Sequence, residues 1–182
     1  MKSLTALLAL LLVGSAAGTR IAAQHVASPV AGGLASAGVD APRTLLLSSQ
    51  ALRFLQLQYR SFTTEFMGCM IGEVIDGVVV VHRIAPADVE PSHSTKTWVV
   101  PEQSCEEAGW AGTVGMIHSH PAGERCWYYF PATRVPSSDG QSFLRSGYPV
   151  DAIMCGSGVV WIGRNLEEQR IPLEERPSAV PR

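Results

Sequence analysis

The chain has 182 residues, 46% of them apolar, with a mean hydropathy of +0.14 and a formal charge of −2. That length suits one domain with a modest core, and the composition is that of a folded globular protein. No Lys/Arg-rich run occurs, which excludes a nucleic-acid partner, because counterion release requires clustered basic residues.

The N-terminus has its own logic. Lys2 precedes an almost unbroken apolar stretch from Leu4 to Val13, followed by the small residues Gly14–Gly18 and Ala22–Ala23. This reads as a secretory signal peptide over residues 1–24, cleaved between 18 and 24. The apolar stretch is short for a membrane span of ~20 residues. The expected location is therefore secreted or periplasmic, with no stable membrane anchor after cleavage. Of 14 basic residues, Lys2 and Arg20 go with the leader, leaving 12 against 16 acidic ones.

Residues 25–47 read as a flexible linker, rich in Ala, Gly, Ser, Val and Pro up to residue 43. The domain proper is expected over 48–164. Ser48 or Ser49 can cap a helix over 49–60, where Leu52, Leu55 and Tyr59 recur at helical spacing. Glu65–Gly72 reads as a mostly buried strand. Asp76-Gly77 makes a hairpin turn into the β-branched run Val78–Ile84. A Pro- and Ser-punctuated loop follows, then a short strand at Thr97–Val100. Thr113–Ser119 is another buried strand, stopped by Pro121. The stretch from Ala122 to Pro136 is a long aromatic loop that walls a substrate groove, forms a lid, or packs its own aromatics to hold shape. Ser137 or Ser138 caps a helix ending near Arg145. Val150–Cys155 and Val159–Gly163 form a closing hairpin, and 165–182 is a charged, partly ordered tail. The sum is an α+β domain, a central mixed β-sheet flanked by helices.

The cysteines are Cys69, Cys105, Cys126 and Cys155. In an oxidising compartment an even count suggests disulfides. Cys69 and Cys155 sit in apolar runs and read as small buried hydrophobes. Cys105 and Cys126 lie in polar, loop-like surroundings, so a Cys105–Cys126 bridge is the expected pairing.

The chemical signal is His118-Ser119-His120-Pro121 at the end of an apolar strand. Histidines at i and i+2 on a strand share a face, so one imidazole nitrogen from each can reach a single cation. Pro121 leaves the pair at a sheet mouth. A catalytic zinc wants a third protein ligand and an open position. Asp139 is the candidate, in the first turn of a predicted helix, where the free N–H groups favour a carboxylate. His25, His82 and His93 have no ligand spacing.

The pattern E-x-x-G-x-x-x-G (Glu65, Gly68, Gly72), then HSHP (His118–Pro121), then P-S-S-D (Pro136–Asp139) resembles the JAMM/MPN+ zinc metalloprotease family over residues 48–164. The resemblance implies an MPN/JAB-like, cytidine-deaminase-like fold and a zinc-dependent hydrolase of peptide or isopeptide bonds. It implies His118, His120 and Asp139 as zinc ligands, Glu65 as general base toward water, and a serine supporting the oxyanion. The family's spacer is shorter than the 19 positions from His120 to Asp139, and Pro136 stands three before the aspartate, where the family has serine. The serine's role therefore falls to Ser137 or Ser138. The expected partner is an extracytoplasmic protein or peptide substrate. The alternative is a catalytically silent MPN-type module that binds a partner; further rivals are a hydrolase of non-peptide amides and a disulfide-stapled binding domain.

Overall fold

A computed structural model describes residues 41–156 and 158–173. The chain falls into two units, Met1–Leu34 and Ala35–Arg182, and only the second contains described residues. The expected signal peptide, the linker up to residue 40 and the tail from 174 lie outside them.

In chain order the elements are β1 (Thr44–Leu47), α1 (Ser49–Ser61), β2 (Met67–Ile75), β3 (Val78–Pro86), β4 (Thr113–His120), α2 (Ser138–Arg145), β5 (Val150–Cys155), β6 (Gly158–Gly163) and β7 (Glu168–Pro172). They build an α+β fold around a mixed, curled seven-stranded sheet, ordered β1-β3-β2-β4-β5-β6-β7. The pairs β1–β3 and β4–β5 are parallel and the rest antiparallel. Among the described residues no helix is long and apolar enough to cross a membrane.

Local chemistry explains the elements. Ser48 caps α1, its hydroxyl oxygen accepting from Ala51 N at 3.1 Å, and Leu55 carries the apolar stripe into the core. Asp76 and Gly77 both take positive φ, 49° and 77°, as a two-residue hairpin turn requires. The bulge in β2 at Ile71/Gly72 needs its glycine, because a Cβ on Gly72 would stand 1.9 Å from the carbonyl oxygen of Val80.

Period-two alternation sorts the strand residues onto two faces. Met70, Ile117, Ala152, Met154, Val159 and Trp161 pack with α1 in one core. Ile153, Cys155, Val160 and Ile162 pack on the other face with Phe143 of α2 and Tyr128 of the aromatic loop. His118 and His120 alternate with Ile117 and so belong to the α2 face.

Several expectations need correction. Thr97–Val100 forms no strand; the only ladder contact nearby is an isolated bridge between Val89 and Pro101. Both edges of β2 are already taken, by β3 and β4, so this segment cannot pair with it and lies over the α2 face instead. Two edge strands were hidden in stretches read as linker and tail: β1 pairs with β3 and β7 with β6. Both are short, and their partners rather than their own patterns define them. The helices and remaining strands fall within two residues of their expected bounds, save that β2 starts at Met67 and extends to Ile75.

The disulfides are Cys69–Cys105 and Cys126–Cys155, not Cys105–Cys126. Cys69 points from β2 to the α2 face, where the loop carrying Cys105 folds down and is buried with it. Cys155 ends β5 beside the loop after β4, within reach of Cys126, with Cα atoms 6.1 Å apart.

Candidate metal centre

β4 presents the two imidazoles. Its pairing with β2 ends at Met67–His118, whereas its pairing with β5 continues to His120–Cys155. His120 thus stands at the mouth of the sheet, as Pro121 requires. A carbonyl can only accept, so the 2.8 Å contact between His120 Nδ1 and Glu124 O places the hydrogen on Nδ1. That leaves Nε2 of the neutral ring free to donate its lone pair.

Ser119 points to the opposite face and has a role that sequence reasoning missed. Its hydroxyl accepts from Phe66 N at 3.0 Å, and its own N–H donates to Phe66 O at 3.0 Å. This clip fixes the residue next to Glu65, whose N–H donates to Thr95 O at 2.7 Å. Glu65 is therefore held just ahead of β2, buried at 5% exposure, with Oε1 3.7 Å from His120 Nε2. A serine between two ligand-type residues on a strand was the available signal, since it must face the other way.

α2 delivers the third donor. Ser137 is the N-cap: its hydroxyl accepts from Gly140 N at 3.2 Å and donates to Trp127 O at 3.1 Å. The one O–H of that buried hydroxyl is therefore committed. Ser138 opens the helix with an exposed side chain, and Asp139 sits in the first turn. Asp139 Oδ1 lies 3.7 Å from His118 Nε2 and Oδ2 lies 3.5 Å from His120 Nε2. The ligand atoms of His118, His120 and Asp139 all lie within 4.8 Å of one another. Donors about 2.0–2.1 Å from a tetrahedral zinc stand roughly 3.3 Å apart, so two imidazoles and a carboxylate at these separations suit a metal ion. A further group, His120 with Cys126 and Cys155, has its sulfurs joined to each other.

The electrostatics follow from burial. Desolvation raises the Glu65 carboxyl to about 7, partly opposed by His118 and helped by Asp139. Burial and the neighbouring His118 hold His120 down, in the neutral form a metal needs. Burial alone would lower His118, but Asp139, Asp151 and Glu65 outweigh it and raise it. For Asp139 burial is likewise overcome, here by the two imidazoles and Ser138, and its pKa is lowered.

Asp151 was also missed. It follows Val150 in β5, on the same face as the histidines, and accepts from the Tyr128 hydroxyl at 2.9 Å. Burial pushes it up to about 7. An acid within an otherwise apolar strand was the sequence signal. In the aromatic loop Tyr128 is fully buried against Phe143 of α2, while Trp127 and Phe130 line a cavity. Glu168 of β7 anchors the loop, accepting from Tyr128 N and Tyr129 N at 3.0 and 2.8 Å. His82 and His93 pair with Glu73 and Glu90, away from the centre.

Two cavities meet at the cluster, sharing Glu65, Thr97, Ser138 and Asp139. One, of about 380 Å³, runs toward Trp127, Phe130, Lys96 and Arg125. The other, of about 280 Å³, runs toward Trp98, Val100 and Met116.

No family model matches the chain, and no curated protein matches it. Among solved structures it is similar to the solution structure of a protein from Desulfitobacterium hafniense, determined as a structural-genomics target. The two are 17% identical over 71% of this chain and 90% of that one, with a TM-score of 0.39.

Proposed function

We propose that the chain is an exported, zinc-dependent hydrolase of the JAMM/MPN+ type that cleaves a peptide or isopeptide bond. The observation that carries this reading is the convergence of His118, His120 and Asp139 from two separate elements, with the buried Glu65 carboxyl alongside. Two disulfides suit an oxidising, extracytoplasmic compartment.

His118, His120 and Asp139 would hold the ion. Bound there, zinc supplies Lewis acidity, polarising a carbonyl and bringing the ionisation of water toward neutral pH. The rest falls to the chain's own groups. Glu65 takes a proton from the attacking water and later passes it to the leaving amine, its buried carboxylate standing 3.7 Å from the ligand nitrogen of His120. Ser138 is the serine that donates to the developing oxyanion: it lines both cavities with an exposed side chain and its hydroxyl makes only a long, 3.4 Å contact to Asp139 Oδ1, which it would exchange for the oxyanion, whereas the O–H of Ser137 is held by Trp127 O. Trp127 and Phe130 wall one side of the groove and orient the chain to be cut.

The test is elemental mass spectrometry on the purified chain, wild type beside H118A/H120A. About one zinc per wild-type chain and none in the variant is the expected result. Wild-type protein that stays metal-free after incubation with zinc overturns the reading.

A further inference from the structure

The two cavities differ in chemistry, and the difference specifies a substrate. On one side of the reactive cluster the lining is Met67, Trp98, Val99, Val100, Pro101 and Met116, with little charge beyond the cluster and Asp151. On the other, Lys96 and Arg125 join Trp127 and Phe130. Trp98 and Phe130 keep 56% and 49% of their surface exposed, one in each cavity, so an apolar patch flanks the cluster on both sides.

The two cations are placed without partners of their own. Among the described residues neither Lys96 nor Arg125 makes an ion pair or a side-chain hydrogen bond. Arg125 also adopts φ 55°, a left-handed backbone that a long side chain rarely takes. Its neighbours impose that conformation: Gly123 N donates to His120 O, Glu124 O receives His120 Nδ1, and Trp127 N donates to Arg125 O. Cys126 is tied to Cys155 in the same turn. Strain of this kind persists where surrounding structure over-determines it, and here it sets a guanidinium on the wall of the cavity beside the cluster. Glu124 is the one acid of this wall outside the cluster, against two cations.

We propose that the substrate carries a carboxylate that seats between Lys96 and Arg125, with an apolar side chain across the scissile bond on the Trp98 side. This deepens the hydrolase reading and rests on it for the position of the bond. An acidic side chain and a free chain terminus offer the same group, and the experiment separates them.

The test is retention of random hexapeptides by the immobilised zinc-loaded E65Q chain, read by mass spectrometry. One pool is acetylated and amidated; the other is acetylated with a free C-terminus. E65Q is compared with E65Q/K96Q/R125N and E65Q/K96E/R125D, because Asn and Asp tolerate the left-handed conformation at position 125. Charge-assisted contacts at a partly exposed site give about tenfold enrichment of acid-bearing peptides over their Gln and Asn counterparts. That enrichment should vanish in the neutral variant and turn to Lys and Arg peptides in the reversed one. Enrichment in the amidated pool assigns the carboxylate to a side chain; enrichment confined to the free-terminus pool assigns it to the chain end. Equal retention of acidic and neutral peptides by E65Q, including none of either, overturns the proposal. Zinc content is measured on the same samples. Zinc-loaded protein without acid preference removes this inference and leaves the hydrolase reading, whereas acid preference in a chain that takes up no zinc does the reverse.

Discussion

Gly140 is where fold and function can be perturbed by a single methyl group. It follows Asp139 in α2, and an ideal Cβ there would lie 2.2 Å from the carbonyl oxygen of Tyr128. In an unobstructed helix, Gly→Ala stabilises by about 1 kcal/mol. Here the obstacle is backbone, held from both sides: Tyr128 O accepts from Ser137 N at 2.8 Å, its N–H donates to Glu168, and its ring is fully buried. Ordinary contact begins near 3.4 Å, so helix and loop must part by about 1 Å. Overpacking of that kind costs roughly 1–3 kcal/mol, and the net expectation for Gly140→Ala is a loss of about 1–2 kcal/mol. The same displacement moves Asp139, where metal sites tolerate only ~0.2 Å, so zinc affinity falls at least about tenfold. Urea unfolding of the metal-free variant, followed by tryptophan fluorescence, measures the first quantity; zinc competition with a chelator measures the second. A variant that gains stability while keeping its zinc affinity would show that the Tyr128 carbonyl yields freely, and that the close approach is not what seats the aspartate.

The two serines are expected to separate. Ser137→Ala removes a cap and costs about 1 kcal/mol of stability, whereas Ser138→Ala leaves the melting temperature unchanged and lowers kcat about 10²-fold or more; equal effects on both quantities would refute the division. In the metal-free chain Glu65 is raised from 4.5 to about 7, so its contribution to stability is fully present below 4.5 and is lost as pH rises through 7. Glu65→Gln should therefore gain about 3 kcal/mol on the metal-free wild type between pH 4.5 and 8, and parallel melting curves across that range would contradict it. Each disulfide closes a segment of similar length, with sequence separations of 36 and 29, so removing either costs about 3–4 kcal/mol on the chain-entropy model. Cys126→Ala/Cys155→Ala should in addition weaken zinc binding, because it frees the turn that holds His120 Nδ1, whereas Cys69→Ala/Cys105→Ala should not; chelator competition on both variants decides.

The ligand-type residues were legible in the sequence because each rests on local periodicity. Two histidines two apart on an apolar run, stopped by proline, must share a strand face at its end, and an aspartate two residues after a serine cap must lie in a first helical turn. The buried strands and both helices were legible for the same reason, as was the hairpin turn at Asp76-Gly77. Other features depended on partners distant in sequence. The short strands β1 and β7 exist because β3 and β6 leave edges for them, and Thr97–Val100 fails as a strand because β2 has none left. The cysteine pairing followed which loops fold onto the α2 face, which local polarity misjudged. The tertiary fold alone decided that Ser119 clips Phe66, next to Glu65, that Asp151 shares the histidines' face, and that Ser137 is committed to a cap while Ser138 stays exposed beside Asp139. Periodicity assigns a side chain to a face. Which other side chains share the space in front of that face is set by chain closure over long sequence distances, and only packing decides it.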